Sequence, residues 1–171
     1  MSTYKPDGEG QILFGLFLLS MALSTTVYFF LGACQGKIRR QIFNKDFMAQ
    51  FNELHQEAFG TTLPFGGYPD TGNGIYAEKL SYKDWFTFNN WQRAHLNFWE
   101  TIAPVFTLLL ICAIHQRTLA VVCGFTIFFG RVIYSLGYCA KGPKGRLVGA
   151  IMYDLAFVAA FVGSIITLTK W

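Results

Sequence analysis

Arg93, Asn97, Glu100 and Pro104 fall on one stripe of the run WQRAHLNFWETIAPVFTLLLICAI. On a helix, spacings of 4, 7 and 11 residues return to within about 40° of one direction, so the four share a face. From Asn97 to Ile114 the run is otherwise strongly apolar. A cation, an amide and an anion stacked inside lipid are costly unless they face protein, ligand or trapped water. A second polar face comes from Arg131, Tyr134 and Tyr138, with Gly137 beside them and Arg146 following in a short basic turn. Arg131 alone has an ordinary structural explanation, a buried ion pair with Glu100 or Asp154 that fixes helix packing. Tyr134 alone has that of an interfacial aromatic. The two faces together point to a polar site between helices.

The elements that position these residues are membrane helices. The chain has 171 residues, 53% hydrophobic and 14% charged, against about 25% charged in ordinary soluble domains. Apolar stretches run from Gly10 to Gly36, Leu96 to Ile114 and Leu147 to Leu168. A fourth, Thr118 to Ala140, carries the single charge of Arg131. Each is long enough to cross roughly 30 Å of hydrocarbon. The fold expected is an all-α integral membrane bundle of four helices in one domain, over about 10–43, 84–115, 117–141 and 145–169. The first helix reads as an anchor rather than a signal peptide. Its run is too long for a signal core, and Asp7 and Glu9 precede it instead of a basic cluster.

Basic residues cluster after helix 1 (Lys37, Arg39, Arg40, Lys45, then Lys79 and Lys83) and in the turn after helix 3 (Lys141, Lys144, Arg146). Lys5, Arg117 and Lys170 stand on the other side. The positive-inside bias puts both basic loops in the cytoplasm or matrix and both termini outside. Cys34, Cys112, Cys123 and Cys139 form no C-x-x-C pair and read as packing residues; no metal site is expected. Nucleotide-binding glycine motifs and nucleic-acid motifs are absent, so no nucleic-acid partner is expected.

Residues 44–83 form an insertion between helices 1 and 2. Phe43, Phe47, Phe51, Leu54 and Phe59 recur at near-helical spacing and predict an amphipathic helix. The run GTTLPFGGYPDTGNG that follows is breaker-rich loop. Gly32 with Gly36, and Gly145 with Gly149, have the G-x-x-x-G spacing of close helix packing.

QRAHLNFWETIAP in helix 2, with GRVIYSLGY and P-x-x-R at helix 3, resembles the MAPEG family, membrane-associated proteins of eicosanoid and glutathione metabolism. The nearest branch by these residues is that of microsomal glutathione S-transferase 3, which shares Q-R-A-H, the Asn after it and the Arg eight residues past the second Tyr. The resemblance implies a homotrimer binding glutathione as co-substrate between subunits. Carried over by position, Arg93, Asn97 and Glu100 hold the tripeptide, and Tyr134 and Tyr138 add hydroxyls. His95 and Arg39 reach the site from an adjacent subunit. Arg146 faces the sulfur, with Tyr134 as the alternative thiolate stabiliser; Arg131 braces the helices and Arg40 lies toward the second substrate.

The function this implies is a transferase or peroxidase acting on a lipophilic electrophile or lipid hydroperoxide that arrives from membrane lipids. The endoplasmic reticulum is the implied membrane, with a mitochondrial membrane as the other setting. Departures from the family pattern are the longer segment between Arg40 and Arg93, and His95 and Thr101 where a leukotriene-forming member has Gln and Tyr. The rival reading is a non-catalytic structural or lipid-binding subunit of a larger membrane complex, joined through residues 44–83. A transporter would call for broken helices and internal repeats, which the sequence lacks.

Overall fold

The computed structural model describes residues 8–64, 66 and 70–170. Lys5 and Asp7, together with Phe65 and residues 67–69 of the breaker-rich loop, lie outside the described residues. Among the described residues six α-helices follow one another: α1 Gly8–Ile42, α2 Lys45–Ala49, α3 Asn52–Phe59, α4 Tyr82–His115, α5 Arg117–Lys141 and α6 Leu147–Leu168. Short 3-10 turns occupy Ala77–Lys79 and Gly142–Lys144. The described residues contain no strand.

Helices α1, α4, α5 and α6 are long and apolar enough to cross a membrane. The shortest, α6, has 22 residues and so spans about 33 Å, slightly more than the hydrocarbon core. Its outward residues Ile151, Leu155, Val158 and Phe161 stay exposed in the isolated chain, as lipid-facing side chains must. Only Gln116 separates α4 from α5, and a five-residue turn separates α5 from α6. Connections that short force antiparallel neighbours. The start of α4, the end of α5 and the start of α6 therefore lie at one end of the bundle, with their basic residues.

The core between the helices packs Phe17 of α1 against smaller apolar side chains: Val105, Leu109 and Cys112 of α4, Ile127 of α5, and Ala156 and Ala160 of α6. Close approach of α5 and α6 depends on glycine. A Cβ on Gly149 would overlap the backbone of Tyr134, and one on Gly145 would overlap the carbonyl of Gly137. Removing the side chain lets the backbones touch, which is how membrane helices gain dispersion contacts without a hydrophobic driving force. The Gly145–Gly149 spacing is used this way, whereas Gly36 meets nothing within 4 Å.

The insertion folds differently from the single amphipathic helix that its phenylalanine spacing predicts. Asn44 interrupts the chain after α1, and its side chain accepts the Phe47 N–H at 2.9 Å, starting α2 as an N-cap. A second break at Gln50 and Phe51 starts α3. The breaks let Phe43, Met48 and Phe51 converge with Ala77 and Phe88 on one small core, which a straight helix would not allow. Leu54 and Phe59 of α3 remain exposed.

The returning loop is organised by Asp70, whose carboxylate accepts the N–H groups of Gly72 at 2.7 Å, Gly74 at 3.1 Å and Ala77 at 2.9 Å. Burial by itself would push this carboxyl up, but the N–H groups of Gly72, Ala77, Gly74 and Asn73 outweigh it and hold it below its ordinary value. The Gly72 carbonyl is held in turn by the Trp85 indole and the Asn89 amide, each at 3.1 Å. Gly72 has φ of 101°, a conformation that favours glycine.

Candidate functional site

Asn97 and Glu100 of the α4 stripe meet Arg131, Tyr134 and Arg146 where α4, α5 and α6 come together near the basic end. Tyr134 stands seven residues before the end of α5, about 10 Å inside it. Its hydroxyl oxygen accepts the side-chain amide of Asn97 from α4 at 2.8 Å and the guanidinium of Arg146 at 3.1 Å. Arg146 sits at the N-cap of α6 and lies over the rings of Tyr134 and Tyr138, at 5.8 and 5.4 Å from their centroids. Three helices are thus joined at one oxygen atom. The reason is local: Ala94, fully buried, lets the Tyr134 and Tyr138 rings pack against α4, and Gly149 lets α6 approach from the other side.

A cavity of about 300 Å³ opens at this point. Asn97, Glu100 and Thr101 line it from α4, and Arg131 and Tyr134 from α5. Arg146, Tyr153 and Asp154 close it around α6. Pro104 lies inside α4 and has no N–H, so the carbonyl of Glu100 loses its usual partner four residues on. The polar stretch of α4 therefore ends at a local break in the helix ladder.

Arg131 is 3% exposed. It donates to the Thr101 hydroxyl and lies 3.8 Å from the Tyr153 ring centroid, with Phe98 and Tyr134 at 5.0 and 5.4 Å. Among the described residues no carboxylate forms an ion pair with it; a hydroxyl and three rings take that place. Cation–π attraction gains strength where water is excluded, so the arrangement stabilises a guanidinium at membrane depth.

The family model for the MAPEG family matches residues 17–166. The chain belongs to the MAPEG family. No curated protein matches it. The MAPEG match takes in α4, α5, the insertion and most of α1 and α6, and it agrees with an all-α, multi-pass membrane bundle. The family comprises glutathione transferases and peroxidases among other members of eicosanoid and glutathione metabolism.

Within this MAPEG chain the predicted site residues divide into two groups. Asn97, Glu100, Tyr134 and Arg146 share the cavity, and Tyr138 adjoins it with its ring 5.9 Å from that of Tyr134. Arg93 is exposed one turn from Asn97 on the outer face of α4, outside the cavity lining. His95 turns toward α1, stacked on Tyr28 at 4.9 Å and close to Gly32. Arg39 donates to the carbonyl of Asp70 at 3.1 Å and to Gln92 at 3.5 Å, with its guanidinium over the Phe88 ring. Gln35 donates to the same Gln92 oxygen. Arg40 is exposed near the end of α1.

Three features of the site were not assigned from sequence. Thr101 receives the Arg131 guanidinium, Tyr153 forms the wall beneath it, and Gln92 of α4 accepts from both Arg39 and Gln35 of α1. Thr101 follows Asn97 by one turn and stands where a leukotriene-forming member has Tyr, the signals that pointed to it. Gln92 is two residues from Ala94 in the motif but lies off the stripe defined by Arg93.

A phenolic oxygen accepts up to two hydrogen bonds and donates one. Asn97 and Arg146 fill the accepting side of Tyr134, which leaves its O–H to be donated to an acceptor in the cavity. An anion placed there meets a donor polarised by a guanidinium on its other side.

Proposed function

We propose that the chain is a glutathione-dependent transferase or peroxidase acting on lipophilic electrophiles or lipid hydroperoxides at the membrane. The Tyr134 hydroxyl carries this reading: with Asn97 and Arg146 as its donors, its own proton is directed to an incoming anion. A thiol has a pKa near 8.5 and reacts as the thiolate, so an O–H donor and a nearby cation raise the reactive fraction at neutral pH. Tyr134 and Arg146 are the catalytic residues of this proposal.

Glutathione carries two carboxylates and one ammonium. Arg93 suits a carboxylate, Glu100 the ammonium, and Asn97 and Tyr138 the amide and hydroxyl contacts. Arg93 and Glu100 are exposed charges on a membrane-crossing helix, and a covering subunit relieves that cost. Arg39 and His95 lie away from the cavity of their own chain, which supports a homotrimer in which each completes a neighbour's site. Arg40 lies toward the second substrate. The residues resemble those of the microsomal glutathione S-transferase 3 branch, to which we assign the chain, and the endoplasmic reticulum membrane is the setting we assign.

In conjugation the thiolate sulfur bonds to an electrophilic carbon, and the displaced electron pair leaves with a halide or moves to an epoxide oxygen that takes a proton. With a hydroperoxide the thiolate attacks the terminal oxygen, the O–O bond breaks and the alkoxide is protonated. A second glutathione then converts the sulfenic acid to disulfide and water. Purified protein in lipid nanodiscs, given glutathione with an activated aryl halide or a fatty-acid hydroperoxide, should show saturable turnover. Absence of turnover on both would overturn the reading.

The folded insertion favours one other reading. It keeps Leu54 and Phe59 exposed outside the membrane crossings, and such surface suits a partner in a structural or lipid-binding subunit. That subunit would bind membrane partners without turnover.

A further inference from the structure

Asp154 is a carboxylate on a membrane-crossing helix that the proposed chemistry does not use. It stands seven residues after the start of α6, as Tyr134 stands seven before the end of α5. The two helices are antiparallel, so both groups lie at matching depth, about 10 Å in from the basic turn. Asp154 lines the same cavity as Tyr134.

The cations of the cavity are committed elsewhere. Arg131 is held by Thr101 and the rings of Tyr153, Phe98 and Tyr134. Arg146 is held by the Tyr134 oxygen and lies over Tyr138. Among the described residues Asp154 has no ion pair. Glu100, the other acid, faces from α4, where glutathione is taken to bind. The surroundings of Asp154 on α6 are apolar: Leu147 and Ala150 line the cavity beside it, and Ile151, Leu155 and Val158 are exposed. A lipophile lying along these side chains brings its polar end to Asp154 and its reactive atom to Tyr134. Asp154 is exposed in the single chain, and an ionisable group at membrane depth is by default a functional position.

We propose that Asp154 is a specificity residue that reads a cationic, hydrogen-bond-donating head group, such as an ammonium, on the lipophilic second substrate. The inference rests on the transferase reading given above. It assigns Asp154 to substrate choice and leaves thiol activation to Tyr134 and Arg146.

Two electrophiles of equal chain length and reactivity test it, one ending in an ammonium and one in a methyl group. Wild-type protein in nanodiscs should favour the ammonium probe in kcat/KM. In Asp154→Asn the ratio between the probes should fall by about tenfold to a hundredfold, carried by KM, and Asp154→Glu should recover part of it. Equal use of both probes by the wild type, or a ratio unchanged in Asp154→Asn, overturns the assignment while leaving the transferase reading intact. Failure of the wild type on either probe and on simple electrophiles overturns both. Loss of the oligomer in Asp154→Asn, seen by native mass spectrometry, would assign the carboxylate to a subunit contact and overturn it as well.

Discussion

Arg146 donates to the hydroxyl oxygen of Tyr134 across 3.1 Å, so the N-cap of α6 is tied to α5 at the atom that also receives Asn97 from α4. The bond makes Arg146 more than a surface cation at the membrane boundary. It polarises a donor and orients it, and the two residues should act as a unit.

Tyr134→Phe removes the donated proton and keeps the ring. Turnover with glutathione should drop by about tenfold to a hundredfold, the value of one charge-assisted hydrogen bond to a forming thiolate. Arg146→Ala should raise the thiol pKa of bound glutathione, read as thiolate absorbance against pH. The double variant should lose little more than the worse single one, since coupled groups are not additive. Full additivity would show that the 3.1 Å bond has no part in the chemistry.

Arg93→Ala should weaken equilibrium binding of glutathione by one to two orders of magnitude, following a loss of about 1.5–3 kcal/mol for a charged contact. Titration calorimetry on assembled protein reads this directly. Unchanged affinity would remove Arg93 from the binding site.

Gly149→Val should destabilise the bundle, because its Cβ would occupy the backbone of Tyr134. Overpacking typically costs about 1–3 kcal/mol, and here it also pushes α6 and Arg146 away from α5. A lower thermal midpoint with reduced turnover is expected. Gly36→Ala, at a position with nothing within 4 Å, is the control that should leave both near wild type.

The loop around Asp70 should loosen in acid. Its carboxyl is held below the ordinary value of 3.8, so the unfolded loop binds a proton more readily than the folded one. The stabilisation is complete above the unfolded pKa and is lost as pH falls through the lower folded one. Hydrogen exchange at Gly72, Gly74 and Ala77 should stay slow at pH 5 and exceed the intrinsic acid-range trend below about pH 4. Trp85 fluorescence should report the same transition through its bond to Gly72. Asp70→Asn should flatten this dependence; an unchanged profile would assign the transition to another group.

The membrane crossings were legible because lipid imposes a length and an apolar composition that any reader of the sequence can see. The polar stripe on α4 was legible because helical periodicity puts Asn97 and Glu100 on one side, and family motifs supplied the partner helix. The split of the insertion was not. Phenylalanine spacing alone reads as one straight helix, and only the Asn44 cap and the long-range packing of Phe51 and Ala77 onto Phe88 bend it. The setting of Arg131 was also hidden. A sequence shows that a buried guanidinium needs a partner, but rings from Phe98 and Tyr153 compete with carboxylates for that place, and the choice depends on three-dimensional packing.

One guanidinium belongs to both halves of the molecule. Arg39 donates to the Asp70 carbonyl in the insertion and to Gln92 of α4, and Gln92 in turn receives Gln35. Trimming or grafting the insertion is therefore not a neutral change of loop length. A relative lacking residues 44–83 has to satisfy position 39 by other means, and positions 39 and 92, whose side chains bond to each other, should be inherited and exchanged as a set.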